Sequence, residues 1–214
     1  MIKKLKIKEY KSGRKGITRL ILGGMHGREH EVIKKVFDTL KPNPPEGRII
    51  IVPNVNIFGG RYVSMINEDY IKSSAGKLYL SILERYKPDV VVELHVFNSK
   101  SYKNLVSSDR IYKKGVPKLV PYRSDLPIKD QILHGGPPPF VKEKFKEHAS
   151  YITLEIHEKY GKEAEKTLIF ILNSVINSNS VIEIRKKLKE RYQESMREAG
   201  RLLQNYVSKD FIKQ

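Results

Sequence analysis

The chain has no cysteine among its 214 residues. That excludes disulfides, thiolate-held zinc and a thiol nucleophile, so any metal must be held by His, Asp or Glu. No apolar run approaches the roughly 20 residues of a membrane span. Met1–Lys6 lacks the apolar stretch of a signal peptide. A cytoplasmic location and no membrane partner are therefore expected. Internal repeats and low-complexity segments are absent as well. Acidic residues are outnumbered, 24 against 41 Lys and Arg, for a formal charge of +17. The cations are spread along the chain and interleaved with Glu, which does not favour nucleic-acid binding as the main role. An acidic or phosphorylated substrate suits the charge. Abundant charge without cysteine also fits a thermophilic protein.

What is present is organised around Leu20-Ile-Leu-Gly-Gly-Met-His-Gly-Arg-Glu29. The apolar run Leu20–Leu22 reads as the end of a buried strand, and Gly23-Gly24 as the tight turn that closes it. Val32, Ile33, Val36, Phe37 and Leu40 follow at helical spacing. His26 and Glu29, three residues apart at the helix start, share one face and make two of the three protein ligands of a catalytic zinc site.

Further along, Ile2–Tyr10 reads as an edge strand and Ile17–Leu22 as the first central one. Lys41–Gly47 is a Pro-rich linker, and Ile49–Val52 a buried parallel strand. Asn54–Tyr70 reads as loop, Ser73–Tyr86 as helix and Val90–Val96 as a third buried strand. Asn98–Lys114 reads as polar loop, Val116–Tyr122 as a short strand, Phe140–Glu147 as a short helix and Tyr151–Glu155 as a strand. Glu163–Asn177 and Val181 to about Val207 read as two helices. The last carries an apolar stripe suited to the core or to a contact between copies. Strand and helix alternate, which predicts a single α/β domain with a mixed, mostly parallel central sheet flanked by helices. The expected division is a metallohydrolase-like α/β domain over 1–160 with C-terminal helices over 161–214 packed on it.

Sites in open α/β sheets form at the carboxyl ends of strands. Three strand ends here carry suitable chemistry: His26 with Glu29, Glu93-Leu-His95, and Thr153-Leu-Glu155. His95 fits the third zinc ligand, Glu93 a residue that orients it, and Glu155 the general base. A rival pattern, His26-Gly-Arg-Glu-His30, would make both imidazoles ligands and Glu29 the base, but it requires a mid-helix setting. His134, His148 and His157 lack partner spacing and are expected in surface or core roles.

These motifs resemble the zinc carboxypeptidase superfamily, closest to its succinylglutamate desuccinylase and aspartoacylase-like branch, over roughly Ile17–Ile156. They also resemble a group of uncharacterised archaeal proteins with the same ligand order. The resemblance implies one zinc ion on His26, Glu29 and His95, with Glu155 as the base. It further implies that Arg61 polarises the scissile carbonyl. Where that family has Asn-Pro this chain has Asn54-Val55, and where it has an Asn-Arg pair for a substrate carboxylate this chain has Asn67-Glu68. Asn67 and Glu68 are the corresponding substrate-binding candidates, the acidic one suited to an amine. The expectation is a zinc-dependent amide hydrolase, a deacylase or peptidase, acting on a small molecule or peptide. The alternative is a non-catalytic binding or scaffold protein on the same fold, or a nucleic-acid-associated basic protein.

Overall fold

The computed structural model describes residues 4–59, 62–142 and 149–207. Among these, seven strands form one sheet: β1 (Lys8–Lys11), β2 (Thr18–Gly23), β3 (Arg48–Val52), β4 (Val90–Phe97), β5 (Val120–Pro121), β6 (Ile132–Gly135) and β7 (Ser150–His157). The helices are α1 (Glu29–Thr39), α2 (Asp69–Lys72), α3 (Ser74–Tyr86), α4 (Ser99–Val106), α5 (Arg110–Lys114), α6 (Pro139–Lys142), α7 (Lys162–Ile176), α8 (Val181–Arg191) and α9 (Gln193–Val207).

The sheet order is β1-β3-β2-β4-β7-β6-β5. β3, β2, β4 and β7 run parallel at the centre, while β1, β6 and β5 join antiparallel at the flanks. This is the expected α/β domain with a mixed, mostly parallel sheet. Successive strand residues point to opposite faces, so each central strand feeds two layers. On one face Val90, Val92 and Leu94 of β4 meet Ile33 and Phe37 of α1, Leu168 and Ile171 of α7 and Ile184 of α8. On the other face Val91 meets Tyr79, Ile82 and Leu83 of α3. Glu93 and His95 share the parity of Val91 and come up on this second face.

The polar stretch Asn98–Lys114 is not a loop but contains α4 and α5. Neither helix fully buries a residue: Tyr102, Leu105 and Val106 give α4 a brief apolar face, partly buried on Phe97, Leu119 and Leu133, and the five residues of α5 are too few to show a period. α4 is started by a capping box, in which the Asn98 side chain accepts from Lys100 N and Ser101 N while Ser101 Oγ accepts from Asn98 N. Ile132–Gly135, which carries no strand signal of its own, pairs with β7 as β6. The strand expected over Val116–Tyr122 shrinks to Val120–Pro121. The long C-terminal helix is two helices that break at Tyr192 (φ −129°, ψ 52°), whose buried ring lies against His134's neighbour Tyr122. No described helix is long and apolar enough to cross a membrane.

Candidate metal centre

The turn between β2 and α1 is set by its glycines. A Cβ on Gly23 would lie 2.4 Å from Ile33 Cδ1, so α1 can pack this close only over glycine. Gly24 has φ +61°, a left-handed conformation that glycine adopts without strain. The bend delivers His26 beside the strand ends, and Glu29 opens α1. The helix thus starts at Glu29, and the stretch is not mid-helix as the His26–His30 rival requires; the one cluster of three possible ligands found among the described residues leaves His30 out.

That cluster is His26, Glu29 and His95, whose ligand atoms all lie within 4.8 Å of one another. The imidazoles stack with ring centroids 5.4 Å apart. Glu29 is anchored by main chain: Oε2 accepts from His26 N at 2.9 Å and Oε1 from Val96 N at 3.3 Å. His95 lies between two carboxylates, Nδ1 3.6 Å from Glu29 Oε1 and Nε2 3.4 Å from Glu93 Oε2. Burial pushes the His26 imidazole down to about 4, which leaves it neutral with a lone pair to give. Burial opposes the charge on His95 too, yet its bonds to Glu29 and Glu93 win and hold it well above the usual imidazole range. Burial likewise pushes the Glu29 carboxyl up, but the His95 bond, the charges of His95 and His26 and the His26 main-chain bond together outweigh it and leave it below its ordinary value.

Two imidazoles and an ionised carboxylate are the donor types zinc takes, and tetrahedral donors about 2.1 Å from one ion lie about 3.4 Å apart. Side-chain adjustments of well under 1 Å per atom close the observed spread to that value. Glu93 is fully buried beside the Tyr79 and Tyr151 hydroxyls, and its Oε1 makes no close hydrogen bond among the described residues. A buried carboxylate next to His95 is suited to hold the ring once a cation balances its charge. The residues fit a metal.

Glu155 lies directly opposite His95 across the β4–β7 pair. It lines the same cavity as the three donors. Burial pushes its carboxyl up to about 7; the His95 and Arg110 charges pull against this, and Glu29 and Glu93 add to it. Asn67 and Glu68 do not line this cavity. They line a shallower groove that abuts it, the two sharing Tyr62, Ser64, Ile66 and Lys114. There the Asn67 side chain accepts from Asp69 N at 2.9 Å, a turn bond, and Glu68 is exposed. Arg61 and His148 lie outside the described residues. His134 and His157 are core histidines: His134 Nε2 is 2.7 Å from Ser195 Oγ, and His157 Nε2 3.0 Å from Ser99 Oγ.

Sequence reading missed two residues of the cavity. Tyr62 places its ring 4.8 Å from that of His26 while remaining 64% exposed. Arg110 extends from α5, a helix without an apolar signature, so nothing in the local sequence marked it. Tyr70, whose buried hydroxyl has no hydrogen-bond partner among the described residues, packs edge-on to His26 at 5.5 Å.

A family model described as an uncharacterized protein conserved in archaea (DUF2119) matches residues 14–208. An uncharacterized protein of Methanocaldococcus jannaschii is 29% identical over 214 residues, covering 98% of each chain. Similar solved structures include an aspartoacylase family protein from Mesorhizobium loti, 16% identical with TM-score 0.45 over 80% of this chain and 61% of that one. A metallo-carboxypeptidase from Pseudomonas aeruginosa is 11% identical with TM-score 0.39 over 94% of this chain and 61% of its own. The ectoine utilization protein EutE (DoeB) from Ruegeria pomeroyi is 15% identical with TM-score 0.37, over 91% and 60%. The chain spans about three fifths of the length of these three structures.

Proposed function

The chain belongs to the archaeal family DUF2119, uncharacterized proteins conserved in archaea, and within it we propose a zinc-dependent hydrolase that cleaves an amide C–N bond. The observation that carries this reading is the pairing of His95 with Glu155 across neighbouring strands, in one cavity with His26 and Glu29. His26, Glu29 and His95 would hold the ion. When bound, zinc supplies a Lewis acid for the carbonyl and lowers the pKa of water.

The remaining steps fall to the side chains. Glu155 accepts a proton from the attacking water and returns it to the leaving nitrogen, for which a carboxyl poised near neutrality is suited. Glu93 holds His95 through Nε2, leaving Nδ1 on the side of Glu29. The Tyr62 ring shields one side of His26 from solvent. Arg61 keeps the carbonyl-polarising role that the motif resemblance implies, and Asn67 and Glu68 the role of contacting substrate from the adjoining groove. In this reading the protein is soluble and takes a peptide or acyl-amino acid.

The test is metal analysis of protein purified without chelator, with turnover measured on a panel of N-acyl amino acids and short peptides. One zinc per chain and hydrolysis abolished by Glu155→Gln are expected. A chain that binds no zinc, or a Glu155→Gln variant as active as the parent, overturns the reading.

A further inference from the structure

The cavity continues well beyond Glu155. From the three donors it runs past Gly135–Pro138, where β6 ends, to the C-terminal helices α8 and α9, and encloses about 1190 Å³. Small-ligand sites usually measure about 300–1,000 Å³, so the space exceeds what one amide needs. Its charge is divided. The acidic lining residues are Glu29, Glu93 and Glu155, all at the donor end. The other charged lining residues are all cations: Arg110 stands near enough to the donor end for its charge to act on Glu155, and the cations of α8 and α9 line the rest.

Three helices supply these cations in the same way. Arg110 and Lys114 lie four residues apart on α5, Arg185 and Lys189 on α8, and Arg197 and Arg201 on α9. Four-residue spacing puts each pair on one helix face, and like charges so placed weaken a helix by a few tenths of a kcal/mol. Other charged residues of the same segments are paired off at this spacing: Glu183 with Lys187, Lys186 with Glu190, and Asp109 with Lys113. The cavity-facing pairs set cation beside cation. Lys118, a further lining cation, is neutralised by Glu198 at 2.6 Å. No ion pair holds the other six among the described residues. Arg110 is half-buried and gives one hydrogen bond, Nη1 to Pro117 O at 2.6 Å, which leaves most of its donors without an acceptor among the described residues. A half-buried guanidinium in that state calls for an anion. Leu119, Leu188 and Met196 supply apolar lining between the cations.

We propose that the wall running from α5 beside Glu155 to α8 and α9 is a second subsite, leading away from the bond being cut, that binds a chain carrying two or more anionic groups. The substrate then extends from Glu155 toward α9 with carboxylates or phosphates spaced along it. The subsite rests on the hydrolase reading only for what lies at Glu155. It also gives the C-terminal helices, which the motif resemblance does not cover, a part in recognition.

Isothermal titration of the zinc-loaded protein with triglutamate, neutral triglutamine and doubly phosphorylated triserine tests this. Triglutamate should bind about 10-fold more tightly than triglutamine and weaken as salt rises from 50 to 200 mM. The double variants Arg185→Gln/Lys189→Gln and Arg197→Gln/Arg201→Gln should each lose about 5-fold in affinity for the anionic peptide. Lys35→Gln/Lys77→Gln, exposed lysines that do not line the cavity, should lose nothing. Stronger binding of triserine phosphate than of triglutamate supports the subsite and names phosphate as its ligand; the reverse supports it and names carboxylate. Equal affinity for triglutamate and triglutamine, or an equal loss in the Lys35/Lys77 control, overturns it. Hydrolysis is read separately: selective anion binding without turnover of any amide sinks the hydrolase reading alone.

Discussion

On one face of the sheet β4 presents Val90, Val92 and Leu94 to α1 and α7; on the other, one residue out of step, the same strand presents Glu93 and His95. The two faces are equally dry, since Leu94 and Glu93 are both fully buried. They obey different rules. An apolar side chain in the first layer needs only volume and neighbours. A charged one in the second needs a partner for each polar atom, and among the described residues Glu93 Oε1 and the Tyr70 hydroxyl make no close hydrogen bond. A fold that buries both in one strand separates stability from chemistry by strand parity alone, so substitutions on the two faces should fail in different ways.

The largest effect is expected on the polar face. Glu155→Gln should reduce amide turnover by about 10²–10⁴-fold while zinc content and melting temperature stay at parental values. A variant that loses its zinc would show that Glu155 belongs with the ligands. The matching change on the apolar face is Leu94→Ala, which should cost roughly 2–5 kcal/mol in denaturant unfolding yet bind zinc stoichiometrically once folded. If it instead abolished metal binding, the two faces would not be independent. Between them stands Glu93→Gln. It removes a charge from the polar face without changing shape, and should weaken zinc affinity about 10–100-fold, measured by competition with a chromophoric chelator.

A last effect, on stability alone and only in acid, concerns His134, a buried polar group on β6, which lies between β7 and β5. Burial pushes its imidazole down to about 3 from 6.5. Below pH 6.5 the unfolded chain binds a proton at this ring that the native chain refuses until about pH 3. The native state is therefore favoured fully above pH 6.5 and loses about 1.4 kcal/mol per pH unit as pH falls between those values. His134→Phe should flatten the acid limb of the stability curve relative to the parent. An unchanged slope would show that the ring is charged in the native protein.

Much of the site was legible because its signals are local. Gly23-Gly24 followed by His26 and Glu29 marks a strand-to-helix turn within ten residues, and the runs Ile49–Val52 and Val90–Val92 are β-branched and uninterrupted. His95 and Glu155 each ended such a run, and parallel pairing then placed them opposite each other. Arg110 was not legible. α5 is five residues long, too short to show a period, and α4 joins a brief apolar face of Tyr102, Leu105 and Val106 to a capping box at Asn98. β6 was missed because a four-residue strand is specified by the strand it joins. The break at Tyr192 interrupts a stripe that stays in phase on both sides.

The sequence by itself determined the layer architecture, the buried strands and the order of the residues able to bind a metal, because each depends on patterns a few residues long. Only the tertiary structure decided that His26, Glu29 and His95 converge, that Glu155 rather than another acid stands beside them, and that three helices turn like-charged pairs onto one wall. Those outcomes depend on strand order and register, which bring together side chains up to 129 positions apart between His26 and Glu155, and no local pattern encodes separations of that size.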